Sequence, residues 1–93
     1  MNTYQYTHKD SNKPVLAWQL TPDNLKKGVP SFIKNGNYIK IQQLVYKYVT
    51  AVVGVSVKTN TIIAVQSDYI VLSNNTFFVL HKDNFNNRYI KTT

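Results

Sequence analysis

Two apolar runs joined by a pair of asparagines constrain this chain more than any other feature. Asp68-Tyr69-Ile70-Val71-Leu72 and Thr76-Phe77-Phe78-Val79-Leu80 flank Ser73-Asn74-Asn75. Asn tolerates the positive φ that tight hairpin turns demand, so Asn74 and Asn75 are the structural turn of an antiparallel pair. Both faces of both strands are apolar. Strands of that kind sit centrally in a sheet, or in a barrel whose outer face is covered by a helix.

The rest of the chain divides by its punctuation. Pro14 opens Val15-Leu16-Ala17-Trp18-Gln19-Leu20, a β-prone run that predicts a strand, with Leu16 and Trp18 on one face. Thr21-Pro22-Asp23 starts a helix: Thr21 caps a free N–H, Pro22 suits the first helical position and Asp23 complements the positive dipole end. Lys26-Lys27 and Gly28 stop it, so a short helix is predicted over 22–27 and a second helical turn over 30–35, with Phe32 and Ile33 pinning both to the sheet.

From Tyr38 the period changes to two. Odd positions (Ile39, Ile41, Val45, Val49, Val53, Val55, Val57) are apolar and predicted to look inward, while even positions carry Tyr, Lys and Gln. Bends are expected at Gln42-Gln43 and Gly54, and a tight reversal at Thr59-Asn60. Asp83 is expected to cap one turn holding Phe85, before a last short strand at Arg88-Tyr89-Ile90. Residues 1–12 lack periodicity and read as a flexible arm or edge strand, leaving 13–93 as a single domain. The predicted class is α+β: a small curved antiparallel sheet or open β-barrel with one or two short helices.

A chain of 93 residues supports one domain with a single modest core. Its 43% hydrophobic content supplies that core and argues against general disorder. There is no cysteine, which excludes disulfides, thiol nucleophiles and thiolate metal sites. The polar run Met1 to Asp10 has no signal-peptide character, and Ala51 to Val57 falls far short of the roughly 20 residues a membrane helix needs. A soluble protein of the cytoplasm is expected, with no membrane partner. The net charge of +7 attracts nucleic acid or acidic protein surfaces, but the cations are scattered and equally serve solubility.

Catalytic chemistry finds little material. The carboxylates are Asp10, Asp23, Asp68 and Asp83, with no Glu, a poor inventory for acid-base work or a two-metal site. Asp68 reads as a turn residue bonding backbone N–H groups, and Asp83 as a cap. His8 and His81 lie on distant segments, so no metal site is expected. A set of Ser67 or Ser73 with His81 and Asp83 lacks any nucleophile-elbow context. No enzyme and no cofactor is therefore expected. The candidate binding surface is a Tyr/Lys face of Tyr38, Lys40, Gln42, Tyr46 and Tyr48, with Lys47 beside it, which mixes rings and cations as a base-stacking or protein-binding platform would. Tyrosines that merely cover a sheet while their hydroxyls stay wet give the same pattern.

The order Lys13-Pro14-Val15, Ala17, Gln19, Thr21, then Asn24-Leu25, Val57, Thr59, Asp68-Tyr69-Ile70-Val71, Phe78, Asp83, Phe85 and Tyr89 resembles a family of small phage and prophage proteins. That family carries a Lys-Pro-Val start, a Gly-Asp-Tyr-Ile core and a Phe-x-x-x-Tyr close. The resemblance covers residues 13 to 89, and departs where Gln66-Ser67 stands in place of the family's Pro-Gly. It implies a β-rich phage protein of unassigned biochemistry. Together with the residue inventory it leads to an expected function as a non-enzymatic accessory protein that binds, and inhibits or modulates, a host or anti-phage defence component, protein or small molecule, in the infected bacterial cytoplasm. Single-stranded nucleic-acid binding by the Tyr/Lys face is the alternative, and a minor assembly or virion component, with homo-oligomers, a further one.

Overall fold

The computed structural model describes residues 4–35, 38–45, 48–57 and 60–92. In chain order the elements are β1 (Gln5–His8), β2 (Pro14–Gln19), α1 (Pro22–Lys27), α2 (Ser31–Lys34), β3 (Tyr38–Val45), β4 (Tyr48–Val57), β5 (Asn60–Val65), β6 (Tyr69–Ser73), β7 (Thr76–Leu80), α3 (Lys82–Arg88) and β8 (Tyr89–Lys91). The class is α+β and strand-rich. The strands form two antiparallel sheets, a five-stranded one in the order β7-β6-β2-β1-β8 and a three-stranded β3-β4-β5, and the described residues do not close into a barrel.

Local chemistry accounts for the turns. Ser73 pairs with Thr76, and Asn74 and Asn75 between them adopt φ of 50° and 61°, the two positive values a type I′ hairpin turn requires. Thr21 caps α1 by accepting the Asn24 N–H at 3.1 Å, with Pro22 at the first helical position. Gly28 ends it at φ 108°, a backbone region that disfavours any side chain.

The five-stranded sheet is buried on both faces, as its two-sided apolar strands require. Alternation sends Trp18, Ile70, Phe77 and Val79 to one face, where they meet Leu25 and Ile33 of the helices and Val53, Val55 and Ala64 of the second sheet. It sends Ala17, Val71, Phe78 and Leu80 to the other, against Phe85 of α3. The single core expected from length is thus two clusters sharing one sheet. β6 is internal, but β7 is an edge strand.

Three expectations need correcting. Within the segment 1–12, read as a loose arm or an edge strand, Gln5–His8 is neither, because it pairs with β2 on one side and β8 on the other. Gln42, Gln43 and Gly54 are not bends; they pair in register with Ala51, Thr50 and Ile39. Asp83 lies inside the first turn of α3, whose N-cap is His81 and has no side-chain capping bond. No helix among the described residues is long and apolar enough to cross a membrane.

The register keeps the expected parity of the long alternating run on β4 and reverses it on β3. Two residues separate the paired Val45 and Tyr48, so odd positions on β4 oppose even ones on β3: Tyr38 pairs with Val55, Lys40 with Val53 and Gln42 with Ala51. Parity switches again into β5, where Val53 pairs with Ala64. Val53, Val55 and Ala64 are fully buried. Ile39, by contrast, is 51% exposed, as are Ile63 at 55% and Val65 at 48%.

Candidate functional site

The Tyr/Lys segment lies on the β3–β4 ribbon. Tyr38, Lys40 and Gln42 belong to β3 and Tyr48 to β4, while Tyr46 and Lys47 lie outside the described residues. β5 pairs only with Val52–Val57, so the described ribbon has no third strand from Gln42 to Val45 or from Tyr48 to Ala51. The register places the first three of these residues opposite a row of β4 that includes the buried Val53 and Val55.

The titratable residues near the β6 hairpin are used locally. Asp68 Oδ2 accepts the Val65 N–H at 3.2 Å, and its Oδ1 lies 3.4 Å from His81 Nδ1. Asp83 Oδ2 lies 3.9 Å from His81 Nε2, with both side chains largely exposed, so this ion pair contributes little. Among the described residues neither Ser67 nor Ser73 bonds His81, and no group of three His, Cys, Asp or Glu could hold a metal ion. Ser67 instead closes the turn before β6 at φ 81°, donating its N–H to the Leu20 carbonyl at 2.7 Å. His8 Nδ1 accepts the N–H groups of Asp10 and Ser11 at 3.2 and 3.3 Å, which caps the turn between β1 and β2.

Residues far apart in sequence meet on the α3 face. Phe85, 1% exposed, stacks on Tyr69 at 3.9 Å and 11° and on Tyr89 at 4.9 Å and 16°. Tyr6 meets Phe85 edge-on at 4.9 Å, and the His8 ring stands edge-on to Tyr89 at 5.0 Å. The Asp-Tyr-Ile and Phe-x-x-x-Tyr segments are therefore one packing unit. Burial raises the Tyr6 and Tyr69 hydroxyls above their ordinary pKa, and for Tyr6 the charge Tyr69 would carry adds to the rise. Both phenols stay protonated, and so remain hydrogen-bond donors, at neutral pH.

These two tyrosines open onto a cleft of about 390 Å³ at the end of the five-stranded sheet. Tyr4 and Tyr6 line it from the β1 segment, Trp18 and Gln19 from β2, Asn24 and Lys27 from α1, Tyr69 from β6 and Lys91 from β8. Pairing of Tyr6 with Lys91 and of Gln19 with Tyr69 sets these groups side by side. Gln19 Nε2 donates to the Ser67 carbonyl at 3.3 Å and Asn24 Nδ2 to the Gln19 carbonyl at 2.9 Å, which fixes both amides. No aspartate lines the cleft, and among the described residues Lys27 and Lys91 have no carboxylate within 4.0 Å. Tyrosine rings, fixed amides and two lysines without a carboxylate partner among the described residues thus line one concavity.

Sequence reasoning missed this cleft, because five separate segments build it and no one of them carries its pattern alone. The one legible signal was Lys27 in the last turn of a capped helix, which read as a helix stop. No family model, curated protein or solved structure matches the chain.

Proposed function

We propose that this chain is a phage accessory protein that acts by binding, without catalysis, a component of its bacterial host or of an anti-phage defence, in the cytoplasm of the infected cell. The cleft beside Lys27 and Lys91 carries this reading, because it joins concavity, rings and uncompensated positive charge at one place. The resemblance to small phage proteins supports the origin, and its Tyr69, Phe85 and Tyr89 supply the packing that holds one wall of the cleft.

The test is affinity capture from infected-cell lysate, with mass spectrometry of both proteins and small molecules. Wild type is compared with Lys27→Ala/Lys91→Ala and with Tyr46→Ala/Tyr48→Ala. Loss of a retained molecule in the first variant alone is expected. Equal recovery of every molecule by wild type and the lysine variant would remove the cleft from the model.

A second reading, single-stranded nucleic-acid binding by the Tyr/Lys segment, is favoured by the two-stranded stretch of ribbon that carries Gln42 and Tyr48. It predicts oligonucleotide affinity that falls steeply with salt and weakens in the tyrosine variant. Absence of any anisotropy change at low salt would eliminate it.

A further inference from the structure

We propose that the ligand of the cleft is a nucleoside phosphate, recognised by Lys27 and Lys91 at its phosphate and by the tyrosine-lined wall at its base. This rests on the binding reading above and deepens it. The two lysines come from α1 and β8, two elements with no sequence proximity, yet both line one cavity of about 390 Å³. That volume lies within the range of roughly 300–1,000 Å³ typical of small-molecule sites.

An anion is required by the charges. All four aspartates, Asp10, Asp23, Asp68 and Asp83, lie outside the lining, so no side-chain carboxylate in it offsets the two ammonium groups. The Tyr6 and Tyr69 hydroxyls, kept protonated by burial, add neutral donors on the same side. A simple inorganic anion would use only this half of the site.

A planar heterocycle is required by the rest. Tyr4, Tyr6 and Tyr69, each only partly buried, present aromatic surface on which a nucleobase can stack for about 1–3 kcal/mol. Gln19 and Asn24 spend their amide N–H groups on backbone carbonyls at 3.3 and 2.9 Å. Their side-chain oxygens have no partner among the described residues, which suits them to accept from the exocyclic amine of a base. Sugars lack the flat face, and aliphatic acids lack both the face and the amine.

The test uses the purified full chain in isothermal titration calorimetry, because the single tryptophan, Trp18, is 4% exposed and packs on the opposite face of the sheet. Adenosine 5′-monophosphate and guanosine 5′-monophosphate are titrated beside adenosine, inorganic phosphate and a 5′-phosphorylated tetranucleotide. Saturable binding of at least one mononucleotide is expected, with adenosine and phosphate each at least tenfold weaker. Lys27→Ala/Lys91→Ala should lower nucleotide affinity at least tenfold with unchanged thermal unfolding. Lys13→Ala/Lys34→Ala, which removes equal charge outside the cleft, should leave it unaltered.

The tetranucleotide arm separates the sources of the same chemistry: a free nucleotide binds as tightly as the strand end or more so, and a strand ligand binds tighter than either mononucleotide. Equal losses in both lysine variants would overturn the proposal, since affinity would then follow net charge. So would the absence of saturable binding heat with every nucleotide. If that failure accompanies lysine-dependent capture of another anion from lysate, the ligand class is wrong and the binding reading stands. Without such capture both fall.

Discussion

The two faces of the five-stranded sheet solve the same burial problem in opposite ways. One is filled mainly by aliphatic side chains spread over β4, β5, β6 and the two short helices, with Trp18 and Phe77 among them and Leu20, Ile33, Val53, Val55 and Ile70 each fully buried. The other is organised around a single ring, Phe85, stacked between Tyr69 and Tyr89 and met edge-on by Tyr6. Distributed packing tolerates loss of any one member, because neighbours share the exposed surface. Centred packing does not, and in return it positions hydroxyls at the rim, where the cleft begins.

The most damaging way to probe this contrast is Phe85→Ala, which empties the centre of the aromatic unit and should cost about 4 kcal/mol in urea unfolding. Ile33→Ala on the aliphatic face should cost about 2–3 kcal/mol. Equal costs would show that the faces are not differently organised. Loss of near-ultraviolet circular dichroism should accompany only the first.

A smaller effect of opposite sign is expected at the turn before β6. Ser67 holds φ 81°, where a side chain is disfavoured and where the resembling family carries glycine. Ser67→Gly should stabilise the chain by about 0.5–1 kcal/mol, read as a raised unfolding midpoint, without changing either face. A lowered midpoint would mean that the Ser67 side chain contributes more than its backbone costs.

The mildest test separates the faces by pH. Tyr6 and Tyr69 have raised pKa values in the folded protein, so the native state holds these protons more tightly than the unfolded chain does. Their contribution is complete below the ordinary tyrosine value near 10 and declines as pH rises above it through the folded values. Alkaline titration of stability should therefore show a fall above pH ~10 that Tyr6→Phe/Tyr69→Phe removes. An identical fall in the variant would assign it to other groups.

How much could be read in advance depended on how local each determinant was. The hairpin of β6 and β7 and the capped helix α1 were legible because their signals lie within four residues: Asn74-Asn75 for one, Thr21-Pro22 with Gly28 for the other. The β3–β4–β5 sheet was legible only in part, for a geometric reason. A two-residue connection pairs odd positions with even ones, so the parity that correctly placed Val53 and Val55 inward on β4 misplaced Ile39 on β3. β1 was read only as a flexible arm or an edge strand, because Gln5–His8 has little apolar character of its own and is held by backbone pairing on both sides. The candidate site was barely legible. Its Tyr/Lys surface follows local alternation, whereas the cleft gathers single residues from β1, β2, α1, β6 and β8.

The amino-acid sequence by itself determined the backbone conformations that short-range sterics control: positive φ at Asn74 and Asn75, the start and stop of α1, and the two-sided apolarity that obliges β6 to be covered on both faces. Tertiary structure alone decided which strands became neighbours, which parity of the long run met the core, and that Lys27 and Lys91 share one cleft with Tyr6 and Tyr69. The physical reason is range. Torsional and capping preferences act over a few bonds, whereas pairing and register are settled by burial, which counts contacts between segments that the sequence keeps far apart.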